Sequence, residues 1–481
     1  MKELLIYVDG AWREARDGKR FPVYSPADGE VIGTAPLAGA EDVEIAARAA
    51  EAAQKVWGRT NAFYRGNLLR KAAAAVEARA EEIAAVMTAE QGKTLDEAMQ
   101  ETRKGAAILR YYAEEGERVC GRIIPNEAKG CVSGVIYQPV GPAVAITPWN
   151  YPIELLAWKV GGALAAGCTI VCKIPYETPL SPTLFAECVI GAGLPENVLQ
   201  TITGRGSEIG TPLACDARFK RVAFTGSTKV GKALGEACMS QLKHLSLELG
   251  GSLPMIVFSD CDIDKAVEGC VRRSFRNNGQ ICIAINRVYV QEEIYDRFME
   301  RLVQRVNKLT IGDTRTENVD LGPMCTAAGL EKVAAHVEDA RQRGAIVATG
   351  GRRPEGEKFR AGNYYEPTVL SRVTREMRVM REESFGPVIG VMPFSDVEDA
   401  IEKANDTEYG LAAICYTSNL NTAKRIAVGV EAGNIAINNV DAGVLNAPYG
   451  GWKESGVGCE HGTEGLYEYL RAKHVRIRFD E

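Results

Sequence analysis

A reactive thiol is the most specific chemical feature that the residue types and their spacing suggest. Cys282 directly follows a polar segment that contains a glycine, Asn277 to Ile281, which suits an accessible nucleophile. The sequence has 13 cysteines, scattered from Cys120 to Cys459 without a CxxC pair. Most of them should be small buried side chains, and a buried, inert thiol is the alternative for Cys282 as well.

Two further polar side chains have the chemistry that a thiol nucleophile needs. Glu248 interrupts an apolar run, Leu247 to Leu249, and burial raises the pKa of a carboxyl toward the range of a general base. A salt-bridged strand end is the alternative. Asn150 lies between two prolines in Thr147 to Pro152, and a rigid amide N–H suits an oxyanion. A proline-stiffened loop is the alternative there.

Alternating strands and helices should position these groups. Apolar strands are predicted at Thr169–Lys173, Val198–Thr203, Arg221–Thr225 and Leu245–Leu249, with helical segments between most of them. This order predicts a parallel sheet covered by helices on both faces. A second α/β series starts near Met255 and continues past residue 400. We therefore expect an α/β protein with two doubly wound lobes and a site between them, at the carboxyl ends of the strands.

The segment Phe224 to Gly231 stands at one of these strand-to-helix junctions. Its glycines and the start of a helix would suit a phosphate. It is not the GxGxxG fingerprint, so a turn with a Ser/Thr helix cap is the alternative.

Composition and charge narrow the possible functions. The chain has 481 residues, is 46% hydrophobic and 25% charged, and carries a net charge of −6. The composition is ordinary for a globular protein. The negative net charge gives the protein no general attraction for nucleic acid or anionic membrane. The longest nearly uncharged stretch, Val160 to Cys172, has 13 residues and is too short to span a bilayer. Because no signal peptide is recognised, we expect a cytoplasmic protein. Because the sequence has only four histidines and no zinc-ligand spacing, we expect no bound metal.

The order of five motifs carries a family resemblance. They are F-T-G-S-T (Phe224–Thr228), L-E-L-G-G (Leu247–Gly251), G-Q-I-C (Gly279–Cys282), E-S-F-G-P (Glu383–Pro387) and P-Y-G-G-W-K-E-S-G (Pro448–Gly456). With them the chain resembles the aldehyde dehydrogenase superfamily from end to end, and within it members that act on succinate semialdehyde. The resemblance implies NAD(P)-dependent oxidation of a small aldehyde, of semialdehyde or hydroxyaldehyde type, to the carboxylic acid through a cysteine thiohemiacetal and thioester.

The resemblance also assigns roles to individual residues. Cys282 is the nucleophile, Asn150 and the backbone N–H of Cys282 hold the oxyanion, Glu248 activates the hydrolytic water, and Lys159 supports the site. The residues that it places at the cofactor are Ile146, Trp149, Lys173, Tyr176, Gly226, Ser227, Val230, Leu249, Glu383 and Phe385.

Departures from the family pattern concern the cofactor and the substrate. Tyr176 stands where NAD-preferring members have a glutamate, so the cofactor is NAD or NADP and discrimination should be modest. Arg276 matches one of two arginines that bind the substrate carboxylate in succinate-semialdehyde enzymes, and Trp158 replaces the other. An interlobe salt bridge is the alternative for Arg276.

The resemblance further implies domains and an oligomer. The cofactor-binding domain should comprise residues 1–118 and 141–250, and the catalytic domain residues 251–440. Residues 119–140 and 441–481 should form oligomerisation or bridging segments, giving a homodimer or homotetramer. Two alternatives remain for function. A CoA-acylating semialdehyde dehydrogenase would need no hydrolytic base, and a non-catalytic relative would need no Cys282, Asn150 or Glu248.

Overall fold

The computed structural model describes residues 2–479. Met1, the first residue of the predicted segment 1–118, lies outside the described residues. So do Asp480 and Glu481, the last residues of the predicted segment 441–481.

Within residues 2–479 the chain forms 23 strands, many of them short. In chain order they are β1 (Lys2–Glu3), β2 (Ile6–Val8), β3 (Ala11–Arg13), β4 (Arg20–Tyr24), β5 (Val31–Pro36), β6 (Arg122–Ile124), β7 (Cys131–Pro139), β8 (Ala143–Ile146), β9 (Ile170–Ile174), β10 (Leu199–Thr203), β11 (Arg221–Thr225), β12 (His244–Glu248), β13 (Leu253–Val257), β14 (Ile285–Gln291), β15 (Ile346–Thr349), β16 (Thr368–Ser371), β17 (Val388–Phe394), β18 (Tyr409–Gly410), β19 (Ala412–Tyr416), β20 (Asn434–Ile437), β21 (Trp452–Lys453), β22 (Gly456–Val457) and β23 (Leu470–Arg478).

The same residues form 15 α-helices. They are α1 (Ala40–Trp57), α2 (Ala62–Ala78), α3 (Ala80–Gln91), α4 (Leu95–Glu117), α5 (Glu154–Ala166), α6 (Leu180–Gly191), α7 (Thr211–Cys215), α8 (Thr228–Met239), α9 (Ile263–Phe275), α10 (Tyr295–Val306), α11 (Ala327–Gln342), α12 (Arg378–Arg381), α13 (Val397–Asn405), α14 (Leu420–Gly429) and α15 (Gly462–Tyr467). Polar caps mark several starts, such as the capping box of Thr94 and Glu97 at α4.

The first large sheet has eight strands in the order β22-β12-β11-β8-β9-β10-β2-β3. Its five central strands are parallel, and the chain moves from β8 outward to β10 before it returns to the other side of β8 with β11. Alternate residues of β8 enter different cores: Ala143 and Ala145 pack with α2, α4, α5 and α6, whereas Val144 and Ile146 pack with α1, α7 and α8. Helices therefore cover both faces, and β8 borders the crevice where a doubly wound sheet binds ligands.

The second large sheet has seven strands in the order β15-β16-β17-β14-β13-β19-β20. All its neighbours pair in parallel except β15 with β16. Met255 and Val257 face one apolar core and Ile256 faces the other, so this sheet is also covered on both sides. The predicted α/β fold with two doubly wound lobes is confirmed.

A third, antiparallel sheet has the order β23-β7-β6. β23 pairs with β7 over nine residues, from Leu470 opposite Pro139 to Arg478 opposite Cys131. Between Asp441 and this last strand the chain returns to the first sheet, where β22 pairs with β12 beside Glu248. The C-terminal part of the chain thus contributes residues to the edge that carries the site.

Candidate active site

A cavity of about 320 Å³ has Cys282 in its wall. Its other lining residues come from α4, from α5 and the loop before it, from α9 and the segment 276–283 after it, and from the chain between 441 and 461. They are Gln100, Glu101, Lys104, Tyr151, Glu154, Leu155, Trp158, Arg273, Arg276, Ile281, Ile283, Asp441, Gly443, Tyr449 and His461. The structure therefore brings together three of the predicted site residues, Cys282, Arg276 and Trp158, in one cavity.

The loop before Cys282 is held in an unusual backbone conformation. Asn277 and Asn278 have φ values of 49° and 54° in the short 3-10 turn that follows α9. Asparagine tolerates the left-handed region better than most residues. The two side chains are buried and donate to backbone oxygens, Asn277 to Asn150 at 3.1 Å and Asn278 to Gly322 at 3.0 Å. These bonds tie the nucleophile loop to its surroundings.

Gly251, three residues after β12, lets the chain beyond this strand pass close to the nucleophile loop. A Cβ at Gly251 would lie 2.4 Å from the carbonyl oxygen of Cys282, which is too short for any side chain. The second position of glycine in the L-E-L-G-G motif is therefore restricted to glycine by steric contact with the nucleophile loop.

The Cys282 thiol lies next to an aromatic wall of the cavity. Burial raises its pKa to about 12, although a hydrogen bond with the Tyr449 hydroxyl, 3.7 Å from Sγ, acts in the opposite direction. Tyr449 stacks on His461, with ring centroids 4.7 Å apart, and His461 stacks on Trp158 at 3.6 Å. Burial lowers the pKa of His461 to about 3, so this ring is neutral. The three rings form one wall of the cavity.

The Asn150 amide points toward the nucleophile loop. Its Nδ2 donates to the carbonyl oxygen of Gln280 at 3.0 Å, two residues before Cys282. Its backbone carbonyl accepts from Lys93 Nζ at 2.8 Å, and Lys93 forms a fully buried ion pair with Glu101. An amide has a second N–H, so Asn150 keeps a donor for a ligand while its loop is held by a buried charge.

Glu248 is buried without a partner. Neither carboxylate oxygen has a hydrogen bond within residues 2–479. Burial is the main cause that raises the pKa of Glu248 well above its usual value; the nearby Glu460 raises it further, and Lys159 lowers it. Lys159 Nζ donates to Glu460 Oε1 at 2.6 Å and to Thr225 Oγ1 at 2.7 Å. The salt-bridged strand end considered as the alternative for Glu248 is not what the described residues form.

The carboxyl ends of the first sheet place several predicted cofactor residues along one edge. Ile146, the last residue of β8, is opposite Lys173 of β9, and Thr225 of β11 is opposite Glu248. Beyond β11, Ser227 caps α8 through the backbone N–H of Val230 at 3.5 Å.

The start of α8 fits a phosphate-bearing cofactor. A Cβ at Gly226 would lie 2.4 Å from the Phe224 ring, so only glycine fits this turn. Val230, in the first turn of the 12-residue helix, is 47% exposed. An uncovered helix N-terminus next to a glycine turn accepts phosphate oxygens. Leu249 packs against Gly231 of the same helix and donates its backbone N–H to Ser455 at 2.9 Å.

Three further predicted cofactor residues, Trp149, Glu383 and Phe385, lie near the chain that follows β12. The rings of Trp149 and Phe385 meet edge to face at 5.5 Å, and Phe385 has a positive φ of 54°. Glu383 Oε1 accepts the backbone N–H of Gly251 at 3.0 Å, and burial raises the pKa of Glu383 to about 6. These residues therefore lie between the cofactor edge and the Cys282 loop.

Basic side chains in the cavity differ in how they are paired. Arg273 donates to Asp441 at 2.6 Å and to the carbonyl oxygen of Val440 at 2.8 Å. Arg276 donates only to the neutral Gln100 at 3.3 Å, and no ion pair of Arg276 or Lys104 is present within residues 2–479. Arg276 and Lys104 thus keep their positive charge available to a ligand.

Several of these residues do not follow from the sequence reasoning. Tyr449 lies within a motif that resembles the family, but its contact with Cys282 spans 167 residues of chain. Gln100 and Lys104 stand four residues apart on α4, a spacing that predicts one helix face but does not reveal what it faces. His461 and Arg273 have no local signal.

Two negative observations apply to residues 2–479. No helix there is both long and apolar enough to cross a membrane. No group of three or more His, Cys, Asp or Glu side chains in this range could hold a metal ion.

Comparison with known proteins places the chain in a family. The model of the "Aldehyde dehydrogenase family" matches residues 12–475. The chain is 41% identical to the succinate-semialdehyde dehydrogenase [NADP(+)] of Escherichia coli K12, over 98% of this chain and 97% of that protein. It is 39% identical to the 3-sulfolactaldehyde dehydrogenase of Pseudomonas putida, over 98% and 96%.

Solved structures are equally similar. A crystal structure of an E. coli NADP-dependent enzyme superposes with a TM-score of 0.97 at 40% identity, covering 99% of this chain and 98% of that one. A betaine aldehyde dehydrogenase of Staphylococcus aureus in complex with NAD+ has a TM-score of 0.96 at 33% identity, covering 98% and 95%. Since both the whole sequence and the whole fold match, the chain belongs to the aldehyde dehydrogenase family and is an NAD(P)-dependent aldehyde dehydrogenase.

Proposed function

We propose that the enzyme oxidises a small semialdehyde whose far end carries an anionic group. The observation that carries this proposal is the pair Arg276 and Lys104, which line the Cys282 cavity without carboxylate partners among the described residues. A guanidinium binds a carboxylate or a similar oxyanion through two hydrogen bonds, and an ammonium adds a point charge. The buried Trp158 and the partly exposed Leu155 leave the remainder of the cavity suited to a short carbon chain.

The names of the relatives agree with this substrate class. Succinate semialdehyde and glutarate semialdehyde each carry a carboxylate, and 3-sulfolactaldehyde carries a sulfonate and a hydroxyl. The anionic group is common to all three. Because the second cavity arginine, Arg273, is already paired with Asp441, we expect tolerance of several anionic tails rather than strict selection of one.

The proposed reaction starts at Cys282. After the thiol proton passes to solvent in the cavity, Sγ attacks the aldehyde carbon, and the carbonyl oxygen becomes an oxyanion. The second N–H of the Asn150 amide and the backbone N–H of Cys282 donate to that oxyanion. When that oxyanion collapses to a C=O bond, the aldehyde hydrogen leaves the carbon as a hydride, and a bound nicotinamide cofactor would supply the acceptor for it. The product on the protein is a thioester at Cys282.

Glu248 is the proposed base for hydrolysis of the thioester. It removes a proton from a water molecule, which attacks the acyl carbon and releases the carboxylic acid and the Cys282 thiol. A carboxylate without hydrogen-bond partners is free to accept this proton. Lys159 is a positioning residue, because its ammonium contacts Glu460 and Thr225 and acts on Glu248 through charge.

The cofactor residues are proposed along the edge of the first sheet. Lys173 would donate to the adenosine ribose, and Gly226, Ser227 and Val230 at the start of α8 would contact the phosphates. The remaining predicted residues would line the two ends of the cofactor, namely Ile146, Trp149, Tyr176, Leu249, Glu383 and Phe385.

A CoA-acylating reaction remains the alternative. It would keep Cys282 and the thioester but would transfer the acyl group to a thiol of CoA, so it needs no hydrolytic base. The buried, unpartnered Glu248 favours hydrolysis. Nucleotide reduction measured with succinate semialdehyde and propanal, each with and without CoA, tests both points. We expect CoA-independent turnover and a preference for the anionic aldehyde; an absolute CoA requirement would contradict the proposal.

We also propose a homodimer or homotetramer held through the third sheet. This sheet exposes several apolar side chains, including Ile123, Val132, Ile136 and Ile477. Unpaired sheet edges and exposed apolar faces favour association. Light scattering on the purified protein tests this point. The domain boundaries and the cytoplasmic location stay predictions.

A further inference from the structure

The Tyr449 hydroxyl contacts the sulfur of Cys282. The two atoms are 3.7 Å apart, and in the resting enzyme either of them can donate the hydrogen bond. Within residues 2–479 neither the sulfur nor the hydroxyl makes another hydrogen bond. A thiol is a weak donor, and a thiolate has no proton to donate. Once Cys282 has lost its proton, the phenolic O–H group is therefore the donor and the sulfur the acceptor.

Backbone pairing and ring stacking hold Tyr449 in this position. Tyr449 and Glu460 form an antiparallel bridge, in which the backbone N–H of each donates to the carbonyl oxygen of the other at 2.8 Å. The Tyr449 ring stacks on His461 with 19° between the planes, and His461 stacks in turn on the buried Trp158. Only 8% of Tyr449 is exposed. The hydroxyl is thus directed at the sulfur by its surroundings rather than by a bound substrate.

The charged groups around Cys282 offer its thiolate little other support. Burial is the main cause that raises the pKa of the thiol, and the carboxyls of Glu383 and Glu248 raise it further. The phenolic hydrogen bond and the charge of Arg273 lower it. Nearby cations commonly activate catalytic thiols, but Arg273 is already paired with Asp441. The hydroxyl is therefore the direct partner that favours the charged form of the sulfur.

We propose that Tyr449 is a further catalytic residue, whose hydroxyl donates a hydrogen bond to the Cys282 thiolate and so increases the fraction of enzyme ready to attack the aldehyde. The inference rests on the proposed role of Cys282 as the nucleophile. A stabilised thiolate is intrinsically less reactive, but a tenfold gain in its population lowers its reactivity only about threefold. For a thiol that is mostly protonated near neutral pH, the gain in population is the larger effect.

The proton and electron pairs balance without a further reactant. The thiol proton passes to solvent, and an electron pair of Sγ forms the bond to the aldehyde carbon. When the thioester is hydrolysed, the electron pair of the C–S bond returns to Sγ, which faces the same donor. Tyr449 keeps its own proton throughout, because burial raises the pKa of its hydroxyl well above the usual value.

Alkylation of the substrate-free enzyme tests this role without turnover. Iodoacetamide reacts with the thiolate, and Cys282 is partly exposed in the cavity wall, where a small reagent reaches it. Tyr449→Phe keeps the ring and removes only the hydroxyl. Losing a hydrogen bond to a charged group should lower the thiolate population roughly tenfold or more, while the remaining thiolate reacts about threefold faster. We therefore expect alkylation near neutral pH to slow roughly threefold or more.

A matched variant and a second reagent complete the design. Tyr365→Phe is the control, because Tyr365 is buried in an apolar core of the second large sheet, outside the cavity, and it should leave the rate unchanged. Mass spectrometry of the peptide that contains Cys282 separates this residue from the other cysteines. N-ethylmaleimide is bulkier than iodoacetamide and also needs the thiolate. An effect on the sulfur should slow both reagents by a similar factor, whereas a changed cavity shape would slow mainly the bulkier one.

The outcomes separate this inference from the proposed function. Unchanged alkylation in folded Tyr449→Phe, or slowing of N-ethylmaleimide alone, would overturn the role of Tyr449. Faster alkylation would also overturn it, since the thiol would then be the donor to the phenolic oxygen. In each of these cases the proposed reaction stands if Cys282→Ala is inactive. Turnover by Cys282→Ala would instead contradict the proposed nucleophile, and with it the catalytic role of Tyr449.

Discussion

Lys159 and Glu460 form a buried ion pair, with 2.6 Å between Nζ and Oε1, within the electrostatic reach of Glu248. Their side chains are 0% and 7% exposed, and the two residues are 301 positions apart in the chain. The pair sets two opposing charges beside the proposed base. Because Lys159 lowers the pKa of Glu248 and Glu460 raises it, the two partners can be separated experimentally.

Neutralising the partners of this pair should move the pH dependence of thioester hydrolysis in opposite directions. Hydrolysis needs Glu248 as a carboxylate, so its rate should rise with pH through the pKa of that group. Lys159→Met removes the positive charge and should shift the rise to higher pH. Glu460→Gln removes the negative charge and should shift it to lower pH. Steady-state rates across a pH series measure both shifts.

Each of these variants also has a cost in stability. Lys159→Met leaves Glu460 buried without its partner, and breaking a buried pair costs about 3–5 kcal/mol. Thermal unfolding of both variants provides the control for folding. Shifts of the same sign in two folded variants would show that the pair acts through structure rather than charge.

Cys282→Ala should abolish oxidation while the protein stays folded and binds its cofactor. The alanine cannot form the thioester that precedes hydrolysis. Nucleotide reduction measures activity, and fluorescence titration with NADPH measures binding. Cys215→Ala, at the partly exposed end of α7, is the matched control and should keep full activity. More than trace turnover by Cys282→Ala would rule out this nucleophile.

Glu248→Gln should lower steady-state turnover by roughly 10²-fold or more, the usual effect of losing a general base. The amide has nearly the same shape but cannot take the proton of water. A single burst of reduced nucleotide, one per site, should survive if formation of the thioester does not need the carboxylate. Stopped-flow absorbance separates the two phases. An unchanged steady-state rate would point to another base.

Arg276→Leu should raise KM for an anionic semialdehyde by roughly tenfold or more, as expected for losing a charged hydrogen bond. Propanal has no anionic group, so its KM should stay almost constant. Arg297→Leu, on the exposed side of α10, is the control for removing an arginine elsewhere in the same lobe. Equal losses on both aldehydes would make Arg276 structural and remove the main support for the substrate class.

Tyr176→Glu should shift cofactor preference toward NAD. A carboxylate at this position would accept from the ribose hydroxyls and repel a 2′-phosphate. Tyr176→Phe keeps the stacking on Phe21 but removes the hydroxyl, and it should change the preference much less. The ratio of kcat/KM for the two cofactors is the measurement. An unchanged ratio in Tyr176→Glu would place selectivity elsewhere.

Local sequence was sufficient to predict four of the five central parallel strands of the first sheet, β9, β10, β11 and β12. The apolar runs at β9, β11 and β12 were recognised within one residue of their observed bounds, because buried parallel strands have a continuous apolar pattern. The family, the α/β fold and the reaction were also predicted, since the ordered motifs carry them, and the comparisons confirm all three.

Tertiary structure alone decided which groups surround the nucleophile and which charges remain unpaired. Glu248 and Glu460 are both acidic residues in the sequence, but only the fold shows that one is paired with Lys159 and the other is not. Arg273 and Arg276 are three residues apart, yet Asp441 forms an ion pair with the first and not with the second. The pKa and function of a buried group depend on burial and on neighbours distant in the chain, which no local pattern contains.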